Sequence, residues 1–331
     1  MSKMTSARIA VLAAALIGGA VSAHAAGGEG PQIERQKWTF SGPFGYYDNA
    51  QLQRGFQVYK EVCAACHGLK RVSFRNLSEK GGPEFPEEGV RSLAADWPNQ
   101  IFEGPNETGR IADSRGNIIK RPARLSDPIL GPYDNELAAR AAQNGAYPPD
   151  LSLITKARGV EVEKPFWRVP DMMLRDIATG YQEGGADYLY ALLTGYQEPP
   201  AYRQDGNKLV LVPPAQARGN RNLLRCSEVI EGKGGKPDEC NKIGDTLHYN
   251  VAFPGKQIAM AAPLGDGNPR YTDGSPQTVS QYAKDVTAFL AWAGDPHMEQ
   301  RKRTGLLVIL YLLITTLLLY FAKKRLWAKA H

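Results

Sequence analysis

Apolar positions recur at helical spacing in two stretches of this chain. From Asn49 to Val62, the residues Leu52, Phe56, Tyr59 and Val62 fall three or four apart and predict an amphipathic helix that runs straight into Cys63. Near the other end, Val279, Tyr282, Val286, Phe289, Leu290 and Ala293 repeat the pattern. Ser275-Pro276 predicts the start of that helix, as a cap followed by proline in the first turn, and Gly294-Asp295-Pro296 predicts its stop. Shorter helices are expected over 134–143 and 186–194, and a short hairpin near Lys208–Val212. The remainder is rich in glycine and proline (the whole chain has 34 and 23), shows no clear period and no internal repeat, and reads as long loops. The expected architecture is mainly α.

Two apolar runs break this pattern, one at each end. Gly305 to Ala322 is 18 residues without a charge. As a helix it is about 27 Å long, enough for the hydrocarbon core of a bilayer. Arg301-Lys302-Arg303 and Lys323-Lys324-Arg325 flank it, and Tyr320 and Trp327 are placed for the interface. A buried core helix would carry neither the flanks nor this leucine density. The first 25 residues have a basic start (Lys3, Arg8), an apolar run from Ile9 to Val21, and the small-residue site Ala23-His24-Ala25. That is the pattern of a secretory signal cut after Ala25, shorter than a span. The expected organisation is therefore a cleaved signal over 1–25, an exported domain over 26–304, a transmembrane helix over 305–322 and an inner tail over 323–331. With both flanks basic, charge alone does not orient the span. The signal does, and puts the main domain outside the inner membrane, on the periplasmic side of a bacterial cell.

This division changes the charge balance. The chain has 40 Lys and Arg against 34 Asp and Glu, a net of +6. Nine of the basic residues and none of the acids lie in 1–25 and 301–331, so residues 26–300 carry 31 basic against 34 acidic groups, a net of −3. The basic excess belongs to the membrane flanks, where it suits anionic lipid. The exported domain is mildly acidic and suits a basic partner. Nothing points to nucleic acid. Glu84, Glu87, Glu88, Asp96 and Glu103 are candidate docking acids by position.

The chemistry lies in Cys63-Ala64-Ala65-Cys66-His67. Cys-x-x-Cys-His is the attachment spacing of a c-type haem: two thiols on one turn reach the two vinyl groups of one porphyrin, and the histidine that follows offers its imidazole to the iron. A structural zinc site would need two further ligands at similar spacing, and none follows. A thioredoxin-like pair would sit beside a βαβ pattern, which is missing here. An electron carrier needs a second axial group, usually Met or His. His297, His331 and Met298 lie too near the span or beyond it. His248, Met172, Met173 and Met260 remain. Cys226 and Cys240 belong to no haem motif; in an exported domain an even leftover pair reads as a disulfide, the alternative being two free thiols. The Gly232-Lys233-Gly234-Gly235-Lys236 run between them lacks the spacing of a phosphate loop.

A first helix entering Cys-x-x-Cys-His and a last helix closing the domain resembles the class I cytochrome c fold. In that architecture a methionine from the loop before the last helix ligates the iron, which singles out Met260, in Phe253-Pro254-Gly255-Lys256-Gln257-Ile258-Ala259-Met260. Several further tracts resemble the cytochrome c1 family, in its bacterial form, over nearly all of the chain after the signal. They are Arg54-Gly55-Phe56-Gln57-Val58-Tyr59, Arg121-Pro122-Ala123-Arg124-Leu125-Ser126-Asp127-Pro128, Asn144-Gly145-Ala146-Tyr147-Pro148-Pro149-Asp150-Leu151-Ser152, and Asp187-Tyr188-Leu189-Tyr190-Ala191-Leu192-Leu193-Thr194-Gly195-Tyr196.

The resemblance implies one covalent haem c, with Cys63 and Cys66 as thioethers and His67 and Met260 as axial ligands. It implies that Ala146, Pro148, Pro149, Tyr188, Leu192 and Leu193 pack on the haem, that Phe253 lies near the ligand loop, and that Arg158 pairs with a propionate. The tract from Gly159 to Gly185 is longer than in the mitochondrial pattern. The implied function is electron transfer in the quinol–cytochrome c reductase (bc1) complex. Single electrons would come from the Rieske iron–sulfur protein and leave to a cytochrome c, with the span packed against cytochrome b in a dimeric multi-subunit assembly. No nucleophile or acid–base pair stands out, so the protein would set burial, potential and docking while the cofactor carries the chemistry. Two other classes share the motif. A free membrane-anchored cytochrome serving an oxidase would normally have a much shorter domain. A haem sensor or peroxidase would need an open iron position.

Overall fold

The computed structural model describes residues 33–97, 102–103, 120–159, 184–234 and 236–328. The signal over 1–25, Met172, Met173 and most of the 159–185 tract lie outside the described residues. The helices are α1 (Asn49–Glu61), α2 (Glu87–Ala95), α3 (Glu136–Ala142), α4 (Ile154–Ala157), α5 (Gly184–Thr194), α6 (Pro214–Ala217), α7 (Val279–Gly294) and α8 (Met298–Trp327). The molecule is mostly helical with some sheet.

Helices α1 and α7 form the centre of the fold. Asp48 caps α1 by accepting from the Ala50 N–H at 3.0 Å. One face of α1 buries Leu52, Gly55, Phe56, Val58 and Tyr59. These meet Tyr282, Val286 and Phe289 of α7, in a core where 11 of the 16 residues of α7 are buried. Phe56 and Phe289 pack edge to face, with ring centroids 5.6 Å apart, and Tyr59 lies 5.9 Å from Phe289. Each such ring contributes about 1.5–3 kcal/mol when taken out of water. Gly55 sits at the crossing, where a Cβ would collide with the Asp285 carbonyl and lie 2.7 Å from the Phe289 Cβ. Helices α4 and α5 pack on α7 and on each other.

The sequence pattern places the start of α7 three residues early. Ser275 is taken by a local turn instead: its N–H and hydroxyl donate to Asp273 at 3.0 and 2.9 Å. Thr278 is the N-cap, accepting from the Gln281 N–H at 3.3 Å.

The strands are β1 (Leu69–Ser73), β2 (Phe102–Glu103), β3 (Lys120–Arg121), β4 (Pro128–Ile129), β5 (Ala201–Asp205), β6 (Lys208–Val212), β7 (Leu224–Ile230), β8 (Glu239–Lys242), β9 (His248–Tyr249) and β10 (Gln257–Ile258). β1–β4, β2–β3 and β9–β10 are antiparallel pairs, while β6-β5-β7-β8 is a four-stranded antiparallel sheet. The expected hairpin is the β5–β6 edge of this sheet. Cys226 on β7 and Cys240 on β8 are joined by a disulfide, with Cα atoms 5.4 Å apart.

Candidate functional site

Helix α1 delivers the haem motif. After Val62 the backbone tightens into a 3₁₀ turn, in which the N–H groups of Cys66 and His67 both donate to the Cys63 carbonyl, at 3.1 and 2.9 Å. This turn brings the two thiols to one side and places the imidazole beyond them. Both cysteines are half-buried and free. Burial, with Cys66 alongside, pushes the Cys63 thiol up to about 12, so it is held protonated at neutral pH. The Gln143 side-chain amide donates to Cys66 Sγ at 3.6 Å and to the Tyr133 hydroxyl at 2.6 Å.

His67 is fixed at both ends. Tyr59, from α1, donates its hydroxyl to the His67 carbonyl at 3.1 Å. The ring Nδ1 lies 2.7 Å from the carbonyl of Pro149. A carbonyl can only accept, so Nδ1 carries the proton and Nε2 keeps a free lone pair. Burial lowers the imidazole pKa, against the opposing pull of the Pro149 carbonyl and the nearby Asp150. The ring is therefore neutral at physiological pH, as a metal ligand must be. The next residue, Gly68, runs so close to Gly131 that a Cβ would lie 2.6 Å from its backbone nitrogen. Gly68 also accepts from the Leu151 N–H at 2.9 Å. The 146–151 loop is thereby anchored beside the histidine, with Ala146 and Pro148 half-buried and Pro149 exposed.

A further apolar wall comes from α5 and the loop before α7. Tyr188, Leu192 and Leu193 are buried in the same apolar cluster against which Cys63, Phe253 and Met260 pack. Burial raises the Tyr188 phenol pKa, and the charge of Arg158 works against that rise. Arg158 itself is exposed at the end of α4. Met260 is half-buried, and its carbonyl accepts from the Tyr196 hydroxyl at 3.0 Å. His248 lies on β9, paired through Ile258 of β10, and is exposed. The two thiols, the bare Nε2 and the thioether, set along a largely apolar wall, fit a haem as a donor set. Among the described residues no three His, Cys, Asp or Glu side chains gather as a metal cluster, so the zinc alternative lacks ligands there.

The structure adds contacts that the sequence pattern did not show: the Tyr59 hydroxyl and the Pro149 carbonyl around His67, Gln143 at Cys66, and Asn250 and Tyr196 around the ligand loop. Three of these side chains bond to backbone carbonyls and Pro149 offers its own, and such partners leave no signature in composition or spacing. Of the acids considered for docking, Glu87 and Glu88 both bridge to Arg91, at 2.8 and 3.7 Å, and Glu84 accepts from the Gly81 N–H at 2.7 Å. Asp96 follows α2, and the Glu103 side chain lies outside the described residues.

Helix α8 is the one helix among the described residues long and apolar enough to cross a membrane. Its most apolar window has a mean hydropathy of 2.4 and none of it is buried. By length and composition it is a C-terminal transmembrane helix.

Known proteins resemble this chain along most of its length. The chain is 40% identical over 312 residues to cytochrome c1 of Blastochloris viridis, covering 94% of this chain and 92% of that one. It is 40% identical over 292 residues to the mitochondrial cytochrome c1 haem protein of Saccharomyces cerevisiae, covering 88% and 71%. A cytochrome b/c1 protein of Bradyrhizobium diazoefficiens is 43% identical over 295 residues; that match takes in 89% of this chain but spans only about a third (35%) of the relative. The model of the Cytochrome C1 family matches residues 38–330. With the haem motif, its paired helices and the C-terminal anchor all inside that match, the chain belongs to the cytochrome c1 family, whose members carry a covalently bound haem c.

Proposed function

We propose that this chain is the haem c subunit of a quinol–cytochrome c reductase (bc1) complex. It passes single electrons from a Rieske iron–sulfur protein to a cytochrome c. The observation that carries the reading is the two-sided hold on the iron site. His67 donates its Nδ1 proton to Pro149 and so turns a bare Nε2 outward, while Met260 is held in the apolar wall by the Tyr196 bond to its carbonyl. With His67 and Met260 both holding the iron, a bound haem would have no position left for a substrate.

Bound through Cys63 and Cys66, the haem supplies a one-electron couple, and a thioether ligand raises its potential. The chain's own residues do the rest. His67 and Met260 ligate. Tyr188, Leu192, Leu193, Phe253, Ala146, Pro148 and Pro149 exclude water, and Arg158 pairs with a propionate. The disulfide of Cys226 and Cys240 requires an oxidising compartment, consistent with a cleaved signal over 1–25 and a haem domain over 26–304 on the periplasmic side. The span over 305–322 packs against cytochrome b in a dimeric assembly, with 323–331 inside. The name of the Bradyrhizobium relative joins b and c1, which supports the cytochrome b contact.

The test is to tag the C-terminus, purify the protein gently in detergent and record its redox centres. A b-type haem and a Rieske-type signal should accompany the c-type haem. A lone c-type haem at good yield, with the anchor intact, would mean a free carrier and would sink the assignment of partners.

A further inference from the structure

The loop bearing Met260 is bound to α5 by a set of contacts that no haem-packing role explains. Asn250 is completely buried. Its side-chain amide donates to the Leu192 carbonyl at 2.8 Å, and its side-chain oxygen accepts from the Ala252 N–H at 3.0 Å. Its backbone N–H donates to the Lys256 carbonyl at 3.1 Å, and Val251 N–H donates to the Gly195 carbonyl at 3.0 Å. The Leu192 carbonyl lies in the last turn of α5, where helical acceptors are left without intrahelical donors. Asn250 therefore caps the helix and starts the loop at once. At the loop's far end, the Tyr196 hydroxyl donates to the Met260 carbonyl at 3.0 Å. Gly195, between helix and tyrosine, admits the close approach: a Cβ there would lie 2.9 Å from Asn250 Oδ1 and 2.6 Å from the Ala191 carbonyl.

We propose that Tyr196 and Asn250 are positioning residues for the axial thioether, clamping the 250–260 loop so that Met260 stays on the iron against exogenous ligands. This rests on the reading of Met260 as the ligand. The same helix, α5, supplies Tyr188, Leu192 and Leu193 to the apolar wall, so the clamp ties the ligand to the surface that seats the ring. The physical logic is an opening equilibrium. A ligand such as imidazole can take the iron only in molecules whose loop has swung away. Its apparent affinity is therefore the intrinsic affinity scaled by the open fraction. Breaking one clamp bond raises that fraction.

The test uses the full-length haem protein in detergent. Ferric protein is titrated with imidazole while the far-red sulfur-to-iron charge-transfer band is followed. Tyr196→Phe removes the hydroxyl and leaves the Met260 carbonyl without its donor. Imidazole should then bind about tenfold more tightly and the band should bleach at correspondingly lower concentration, as expected for the loss of one buried hydrogen bond. Gly195→Ala reaches the clamp by a different route, through its Cβ against Asn250, and should shift affinity in the same direction, so the outcome does not hang on one variant. Tyr190→Phe is the control. It deletes a hydroxyl from the same helix that bonds Ser280 at 2.8 Å, away from the loop, and should titrate like the unaltered protein. Unchanged imidazole affinity in both Tyr196→Phe and Gly195→Ala, with the band present, overturns the clamp while leaving Met260 as ligand. Absence of the band in the unaltered protein overturns the Met260 ligation, and the clamp with it.

Discussion

At the scale of single residues, two carboxylates show how the chain uses charge away from the haem. Asp285, fully buried on α7, receives Arg54 Nε at 3.0 Å, the Tyr271 hydroxyl at 2.9 Å, and the side-chain amides of Gln281 and Gln51 at 2.9 and 3.2 Å. A buried charge is tolerable because every lone pair is met. Asp127 is the second. Burial alone would raise its pKa, but Arg121 and the Arg124 N–H (2.8 Å) outweigh that and hold it below the usual carboxylate range. A depressed folded-state value means that the contribution is complete above the ordinary carboxylate range and is lost as pH falls through the lower, folded value. The resistance of the detergent-solubilised protein to thermal unfolding should therefore weaken on acidification below about pH 4. Asp127→Asn should be less stable near neutrality and flatten that acid limb. An acid limb of unchanged steepness in the variant would place the effect elsewhere. The residues at this scale were unevenly legible. Cys63, Cys66 and His67 follow from spacing, because covalent attachment needs it. The His67 partner is a carbonyl, which any residue at position 149 could supply, so the sequence carries no mark of it.

At the scale of elements, periodicity served helices well and strands poorly. α1 and α7 bury one long face or nearly all of their surface against each other, and such faces read directly from the 3.6-residue repeat. The start of α7 was misplaced because Ser275 and Thr278 are both capping types, and only the Asp273 turn decides between them. The β5–β8 sheet was visible as no more than one hairpin. Its strands expose most of their side chains, among them Leu211 and Ile230, so burial imposes little alternation on them. Their order rests on backbone ladders and the Cys226–Cys240 link. The most extensive element contact is the α1–α7 crossing, and it gives a sharp prediction. Gly55→Ala would drive a methyl group into the Asp285 carbonyl and the Phe289 side chain, both on a rigid helix. The helices must part, at a cost of about 1–3 kcal/mol by analogy with overpacked cores. In urea melts followed by the haem absorption, the midpoint should fall clearly. A midpoint within error of the unaltered protein would mean that the crossing has slack the structure does not display.

At the scale of the whole molecule, the question is where the haem domain ends and the anchor begins. Hydropathy puts the boundary at Gly305, since only from there are charges missing. The helix, however, starts at Met298, and its first two turns belong to the domain. Met298 is buried, Glu299 accepts from the Tyr47 N–H at 2.6 Å, Arg301 pairs with Asp295 at 2.7 Å, and Lys302 donates to the Phe40 carbonyl at 2.7 Å. Tyr47 also donates its hydroxyl to the Ala291 carbonyl, at 3.2 Å, so one N-terminal strap grips the end of α7 and the start of α8 together. The apolar span thus continues a helix already fixed to the globular part, with no linker between them. Two truncations separate this arrangement from a passive tether. A chain ending at 304 keeps every one of these contacts and should yield a soluble haem domain that still cycles between redox states. A chain ending at 297 loses Met298, Glu299, Arg301 and Lys302 together, leaving Asp295 with fewer cations and a hole beneath Tyr47. It should unfold at markedly lower temperature than the 304 form, by roughly 2–5 kcal/mol for the loss of a buried Met alone. Equal melting of the two forms would show that the strap contacts contribute nothing, and that the anchor is a tether after all.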